Sequence, residues 1–255
     1  TSDKKIRRND AYTADGEGGK RPDHSVVVYS QRCREAYKGV PIVIGGIEAS
    51  LRRIAHYDYW SEKVRRSVIM DSKADLLVYG NGERQVVEIA HRLAQGEAVK
   101  DLTDVRGTVY TRRHGRREEW WEKDSTSIDK PGQLNPPIDP YQMQTEESCE
   151  QSKAETAEKN AAPAEPATNV IKIHRVSPRN ADKTVIRLPR YETVKDDPII
   201  YAHTSRILHL ETNPGNALAL VQQHGDQDVW LNPPPIPLTT KEMDAVFDLP
   251  YSRLP

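Results

Sequence analysis

A chain of 255 residues is long enough for one large domain or two smaller ones with a sizeable core. Only 36% of its residues are hydrophobic, 18 are proline and its mean hydropathy is -0.76, so the globular part is shorter than the chain. The net charge of -1 gives no overall field to draw in nucleic acid, Cys33 and Cys149 are too few for a disulfide framework and too far apart to resemble a metal site, and no apolar run is long enough to span a bilayer; a reducing, cytoplasmic setting is expected.

The opening twenty-odd residues are polar and glycine-rich, and Thr1 in place of Met predicts that the sequence starts inside a longer one. A helix is expected from about Asp23, capped by that residue and stopped by Gly39, with Val26, Tyr29, Cys33 and Tyr37 on its buried stripe. Val40 to Ile44 reads as a strand covered on both faces and ended by Gly45-Gly46. IEASLRRIAHYDYW then reads as a helix packing Ile47, Leu51 and Ile54. Ala74 to Tyr79 is a second strand, Gly80-Asn81-Gly82 its turn, and Val86, Ile89, Ala90 and Leu93 the stripe of the next helix, closed by Gly96. Strand, turn and helix repeated twice is the unit of a right-handed parallel sheet. Two strands are too few for a stable sheet, so either strands from a missing N-terminal piece complete it or later segments do, Val105 to Thr111 being one candidate as an edge strand.

From Trp120 to Tyr141 the chain reads as proline-rich and irregular, and Thr145 to Thr168 is a low-complexity tract too polar to offset its ordering entropy. Beyond it, Val170 to Val176 and Thr184 to Leu188 are expected to form a hairpin. Pro198 to Glu211 and Asn216 to His224 read as helices broken at Asn213-Pro214-Gly215, and Thr239 with Glu242 as the capping box of a last short helix.

The two glycine turns are the best candidates for a ligand crevice, because open parallel sheets bind ligands at the carboxyl ends of their strands. Gly45, Gly46 and Gly80 permit close backbone approach, while Glu48, Ser50 and Glu83 stand where a ligand's hydroxyls or amides would be met. Both glutamates also suit helix N-terminal dipoles. His56-Tyr57-Asp58-Tyr59-Trp60 is read as packing rather than ring stacking, Cys33 as a core thiol, and His224 as a helix C-terminal residue. His203 and His209, six apart, do not share a helix face as a metal pair would. No Gly-x-Ser-x-Gly, Walker-type or His-Glu-x-x-His pattern is present. Residues 1 to 121 hold 23 Lys+Arg against 18 Asp+Glu and the remainder 14 against 20, with arginine doublets recurring in the first part. A non-catalytic nucleotide- or RNA-binding module is therefore the alternative reading, which the charge balance disfavours.

Two long stretches carry a resemblance. VVVYSQRCREAYKGVPIVIGGIEASLRRIAHYDYWSEKVRRSVIMDSKADLLVYGNGERQVVEIAHRL and HTSRILHLETNPGNALALVQQHGDQDVWLNPPPIPLTTKEMDAVFDLPYSRLP resemble the N-terminal region of the YgiQ-type radical SAM proteins, and VPIVIGGIEAS with ADLLVYGNGE resembles the last strands of a cobalamin-binding-like Rossmann domain. The resemblance implies an α/β fold: a partial Rossmann-like parallel sheet over 1–121, an irregular then low-complexity linker over 122–168, and an α+β connector over 169–255. It implies a downstream core with a Cys-x-x-x-Cys-x-x-Cys motif that holds a four-iron four-sulfur cluster and uses S-adenosylmethionine. This sequence has no such motif and is expected to begin after the family's first strands and to stop near the core, making it an accessory piece whose partners are those strands and that core. No cobalamin is assigned, because the histidine-bearing motif of its lower-face ligation is not found.

Overall fold

The computed structural model describes residues 9–115, 120–133 and 183–250. Its centre is a seven-stranded mixed sheet built from β1 (Val43–Ile44), β4 (Leu76–Val78), β5 (Thr108–Arg113), β6 (Trp121–Asp124), β7 (Thr184–Arg187), β8 (Ala219–His224) and β9 (Gln227–Leu231), in the order β1-β4-β5-β9-β8-β7-β6. Pairing is parallel at both flanks, β1 with β4 and β6-β7-β8, and antiparallel through β4-β5-β9-β8. A separate hairpin joins β2 (His56–Asp58) to β3 (Lys63–Arg65). The helices are α1 (Ser25–Ala36), α2 (Gly46–Leu51), α3 (Val68–Ser72), α4 (Glu83–Ala94), α5 (Tyr191–Asp196), α6 (Pro198–Leu210) and α7 (Thr240–Phe247).

The sheet is covered on both faces, which explains why β4 reads as an unbroken apolar run. On one face Ile44, Leu77, Val109, Ile186, Leu220, Val229 and Leu231 pack against α1, α3 and α6 through Val26, Val27, Val68, Ile69 and Ile207. On the other, Leu76 and Val78 meet Ile89 of α4 with Leu102 and Val105, while Val185, Ala219 and Val221 surround Trp230. Burying a side chain of this size contributes about 1.5–3 kcal/mol.

The expected parallel pair is present: Val43 lies beside Leu76 and Ile44 beside Leu77. β1 is nevertheless an edge strand with Val43 exposed, not a strand covered on both faces. The strand at 108–113 is interior rather than an edge, because β9 returns to pair with it. Trp121–Asp124, expected to be irregular, is the edge strand beside β7. Asn216 to His224 is not a helix: Ala219–His224 is β8, which turns at Gly225-Asp226 into β9. Gly225 sits at φ +63°, a conformation only glycine adopts at no steric cost, and the two-residue turn fixes the hairpin.

Three helix readings change with tertiary packing. α1 buries Ser30 and packs Val26 and Val27, leaving Tyr29, Tyr37 and Cys33 exposed. α2 ends at Leu51 and buries Ala49, so that Ile47 is 81% and Leu51 70% exposed; the segment beyond it becomes the β2-β3 hairpin. α4 turns Ile89 and Gln85 inward and leaves Val86 exposed. The capping box of α7 forms as expected from Thr239 and Glu242. Val170 to Val176 and Thr145 to Thr168 lie outside the described residues.

Candidate functional site

The carboxyl ends of β1 and β4 bring Gly45, Gly46, Ser50 and Gly80 together. Gly45 is the N-cap of α2 in extended conformation, and a Cβ there would stand 3.5 Å from the Val78 carbonyl oxygen. Gly46 has φ +80° and Gly80 φ +72°, so both turns depend on glycine. Ser50 clips them: its Oγ donates to the Gly46 carbonyl at 2.8 Å and accepts from the Gly80 N–H at 3.2 Å. The three glycines are exposed to solvent. Glu83 opens α4 beside this rim, and its carboxylate has no hydrogen-bond or ion-pair partner among the described residues.

Glu48 faces elsewhere. Its Oε2 accepts from Ser25 Oγ at 2.9 Å and from the Val26 N–H at 3.3 Å, and its Oε1 from Arg52 Nη1 at 2.9 Å. The N-cap of α1, His24, makes no side-chain cap of its own, so Glu48 satisfies the orphan donors of that helix from α2 and complements its dipole.

Behind the rim lies a set of residues that the sequence reading passed over. The Arg53 guanidinium sits 4.9 Å from the Tyr79 ring centroid and donates through Nη1 to the Ser50 carbonyl, while its buried Nε has no hydrogen-bond partner among the described residues. Burial pushes its pKa down, against a smaller opposing influence of Tyr79. Burial pushes the Tyr79 hydroxyl up to about 12, where it stays protonated and donates to the Asn232 carbonyl at 2.5 Å. From Asn232 the chain runs through Pro233-Pro234-Pro235, which offers carbonyls and no N–H donors. The Gly107 N–H donates to Pro233 at 2.8 Å, Arg106 donates to Pro234 and Pro214, and the Pro235 ring would stand 3.5 Å from a Cβ on Gly80. Arg84 then ties α4 to α7 through Glu242. The proline run beside one exit is the sequence signal that points to this cover.

Other polar clusters serve packing. His224, buried at the end of β8 and not at a helix terminus, stacks on Tyr191 at 5.3 Å, and its Nε2 meets Gln222 Oε1 at 3.1 Å. Burial first, then Arg66, brings its pKa down to about 3. His56 is likewise lowered, burial being the main cause. The aromatic cluster at 56–60 forms the β2-β3 hairpin, with Tyr59 edge-on to Trp60 at 6.3 Å. His203, buried in α6, faces Ser125 Oγ at 3.1 Å and Asp129 at 3.4 Å, and His209 plays no part with it. Among the described residues no group of three His, Cys, Asp or Glu side chains is placed to hold a metal ion, and no helix is long and apolar enough to cross a membrane.

Comparison with known proteins fixes the family. The model of the Radical SAM N-terminal family matches residues 1–255. A UPF0313 protein of Pseudomonas aeruginosa is 57% identical over 255 residues, covering 100% of this chain and 34% of the relative. A UPF0313 protein of Chromobacterium violaceum is 56% identical over 263 residues, again covering 34% of that protein, and the UPF0313 protein YgiQ of Salmonella typhimurium is 52% identical over 255 residues with the same coverage. The chain therefore spans about a third of the length of these relatives. No solved structure matches it. With its parallel β1-β4 pair, its flanking helices and a family model that spans every residue, the chain belongs to the Radical SAM N-terminal family, within the UPF0313 (YgiQ) proteins.

Proposed function

We propose that this chain is the accessory N-terminal region of a radical SAM iron–sulfur enzyme, working in the reducing cytoplasm, whose cluster and S-adenosylmethionine are held by a core elsewhere in the same polypeptide. The family match over the whole chain carries this reading. The residues here do not fit the cluster. Such a cluster takes three or four thiolates from closely spaced cysteines, whereas this sequence holds Cys33 and Cys149 alone, and Cys33 stands exposed on α1. No step of radical chemistry is assigned to these residues.

Their role in this reading is to present a surface. Gly45, Gly46, Gly80 and Glu83 form a rim at the strand exits that a ligand or the core itself would meet, with Ser50 holding the rim closed and Glu48 bracing α1 behind it. Cobalamin is not assigned, since no histidine stands among these rim residues. The alternative of a nucleotide- or RNA-binding module rests on basic residues alone, and the family match lends it no support. The test is a full-length polypeptide carrying Cys33→Ser and Cys149→Ser, reconstituted with iron and sulfide under anaerobic conditions. Cluster content and S-adenosylmethionine cleavage equal to the unmodified polypeptide are expected; loss of the cluster would place a ligand in this region and overturn the reading.

A further inference from the structure

Antiparallel ladders alternate, so the direction of each backbone group in β5 can be read from its partners. The Asn232 N–H donates to the Thr108 carbonyl at 3.0 Å and the His114 N–H to the Asp226 carbonyl at 2.9 Å. Thr108, Tyr110, Arg112 and His114 therefore exchange their bonds with β9 and its extensions, and Val109, Thr111 and Arg113 turn their N–H and C=O groups to the opposite side. Val109 meets β4 there, but that pairing covers only Leu77 with Val109 and Val78 with Thr108. At Asp75 the chain has swung toward the other side, giving its N–H to the Ile42 carbonyl at 2.9 Å. The outward backbone groups of Thr111 and Arg113 are left with no strand beside them among the described residues.

A groove of about 530 Å³ runs along this open edge, lined among others by Arg66, Lys73, Asp75, Lys100, Tyr110 and Thr111. Its charge is one-sided. Asp75 is matched by Arg34 and Arg66 by Asp71, whereas Lys73, Lys100 and the neighbouring Arg113 are in no ion pair among the described residues. This surplus of cations stands on a chain whose net charge is -1, so it is a local feature.

We propose that the Thr111–Arg113 edge receives an extended, carboxylate-bearing peptide segment as an added strand, with main-chain bonds to Thr111 and Arg113 and its acidic side chains against Lys73, Lys100 and Arg113. Strand addition gives affinity through the main chain, and the cations select the charge of the guest. Lysines beside an edge also act as guards that repel other strands. Such a guard works by leaving its cation unpaired beneath the incoming strand, a cost that carboxylates on that strand remove. The inference stands apart from the radical chemistry and does not require it.

The probe is a fluorescein-labelled octapeptide of alternating valine and glutamate, with the valine–lysine peptide as its control, titrated by anisotropy into the full 255-residue chain. The acidic peptide is expected to bind in a salt-sensitive manner and the basic one not to bind. Lys100→Glu, which leaves the backbone untouched, is expected to weaken binding about tenfold through reversal of one rim charge. Thr111→Pro removes an N–H that β9 does not use and is expected to weaken binding about fivefold, the worth of one hydrogen bond. Failure of the acidic peptide to bind, equal binding of both peptides, or binding indifferent to Lys100→Glu would overturn the proposal.

Discussion

The exits of the β1-β4 pair and the far β6-β7 flank of the sheet are held in different ways. At the β1-β4 flank the strand exits are joined by neutral hydrogen bonds, Ser50 linking the Gly46 carbonyl to the Gly80 N–H. At the β6-β7 flank the strands are joined by charge. Arg187 of β7 donates to Glu122 of β6 at 2.5 and 2.6 Å and to Asp228 of β9 at 3.1 Å, and His114 donates to Asp228 at 2.9 Å. Burial disfavours the Asp228 anion, yet the bonds from Arg187 and His114 outweigh it and hold its carboxyl below the usual range. The bond from Arg187 likewise holds Glu122 down. The difference teaches that the glycine rim owes its shape to backbone conformation and to the neutral Ser50 clip, so its hold is expected to vary less with pH and salt than the charged flank. The far flank is a polar network built on the charges of Arg187, Glu122 and Asp228.

The largest effect should come from breaking the charged flank. Asp228→Ala removes a buried carboxylate, leaves Arg187 with Glu122 alone and takes from His114 its Asp228 partner. A loss of about 3 kcal/mol is expected, by analogy with truncated buried pairs, and urea unfolding measures it. A result within about 0.5 kcal/mol of the unmodified chain would place this flank with ordinary exposed pairs.

Acid should separate the two flanks next. The folded-state pKa of His224, about 3, lies below the unfolded value of 6.5. The stability that comes from keeping it neutral is therefore complete above pH 6.5 and is lost as the pH falls to about 3. The slope approaches about 1.4 kcal/mol per pH unit for this one group. Glu122 and Asp228, both lowered, add a further loss as the pH falls through the carboxylate range. Unfolding midpoints measured across this range should show a shallower acid limb for His224→Asn; an unchanged limb would remove His224 from the account.

The smallest effect is expected at the neutral rim. Ser50→Ala gives up two hydrogen bonds at a partly exposed site and should cost about 1–2 kcal/mol, with the same loss at low and high salt. A strongly salt-dependent loss would mean that charge, and not the clip, holds the rim.

Much of this contrast was legible in the residues and some was not. Val43–Ile44 and Leu76–Val78 are apolar runs ended by glycine, so their parallel pairing follows from local pattern. The capping box at Thr239 and Glu242 is local too, and so is the start of α6, where the Asp197 carboxylate accepts from the Ile199 and Ile200 N–H groups. By contrast, the run around Leu218 to Val221 fits either period, and the Gly225-Asp226 turn that decides for a strand is easily passed over. Glu48 as a cap for α1 and Ser50 as a clip between two turns join residues 22 to 30 positions apart. No local pattern carries such contacts, which exist only once the sheet has formed. Cys33 and Tyr29 have helical spacing that suits burial, yet the neighbouring face of α1, with Val26, Val27 and Ser30, is the one that meets the core.

The most direct measurement sets the 255-residue chain beside its full-length polypeptide, both reconstituted with iron and sulfide and read by cluster absorbance and by cleavage of S-adenosylmethionine. The account predicts both signals in the full-length polypeptide and neither in the chain alone. A cluster assembled on the chain by itself, or a full-length polypeptide that forms none, would contradict it.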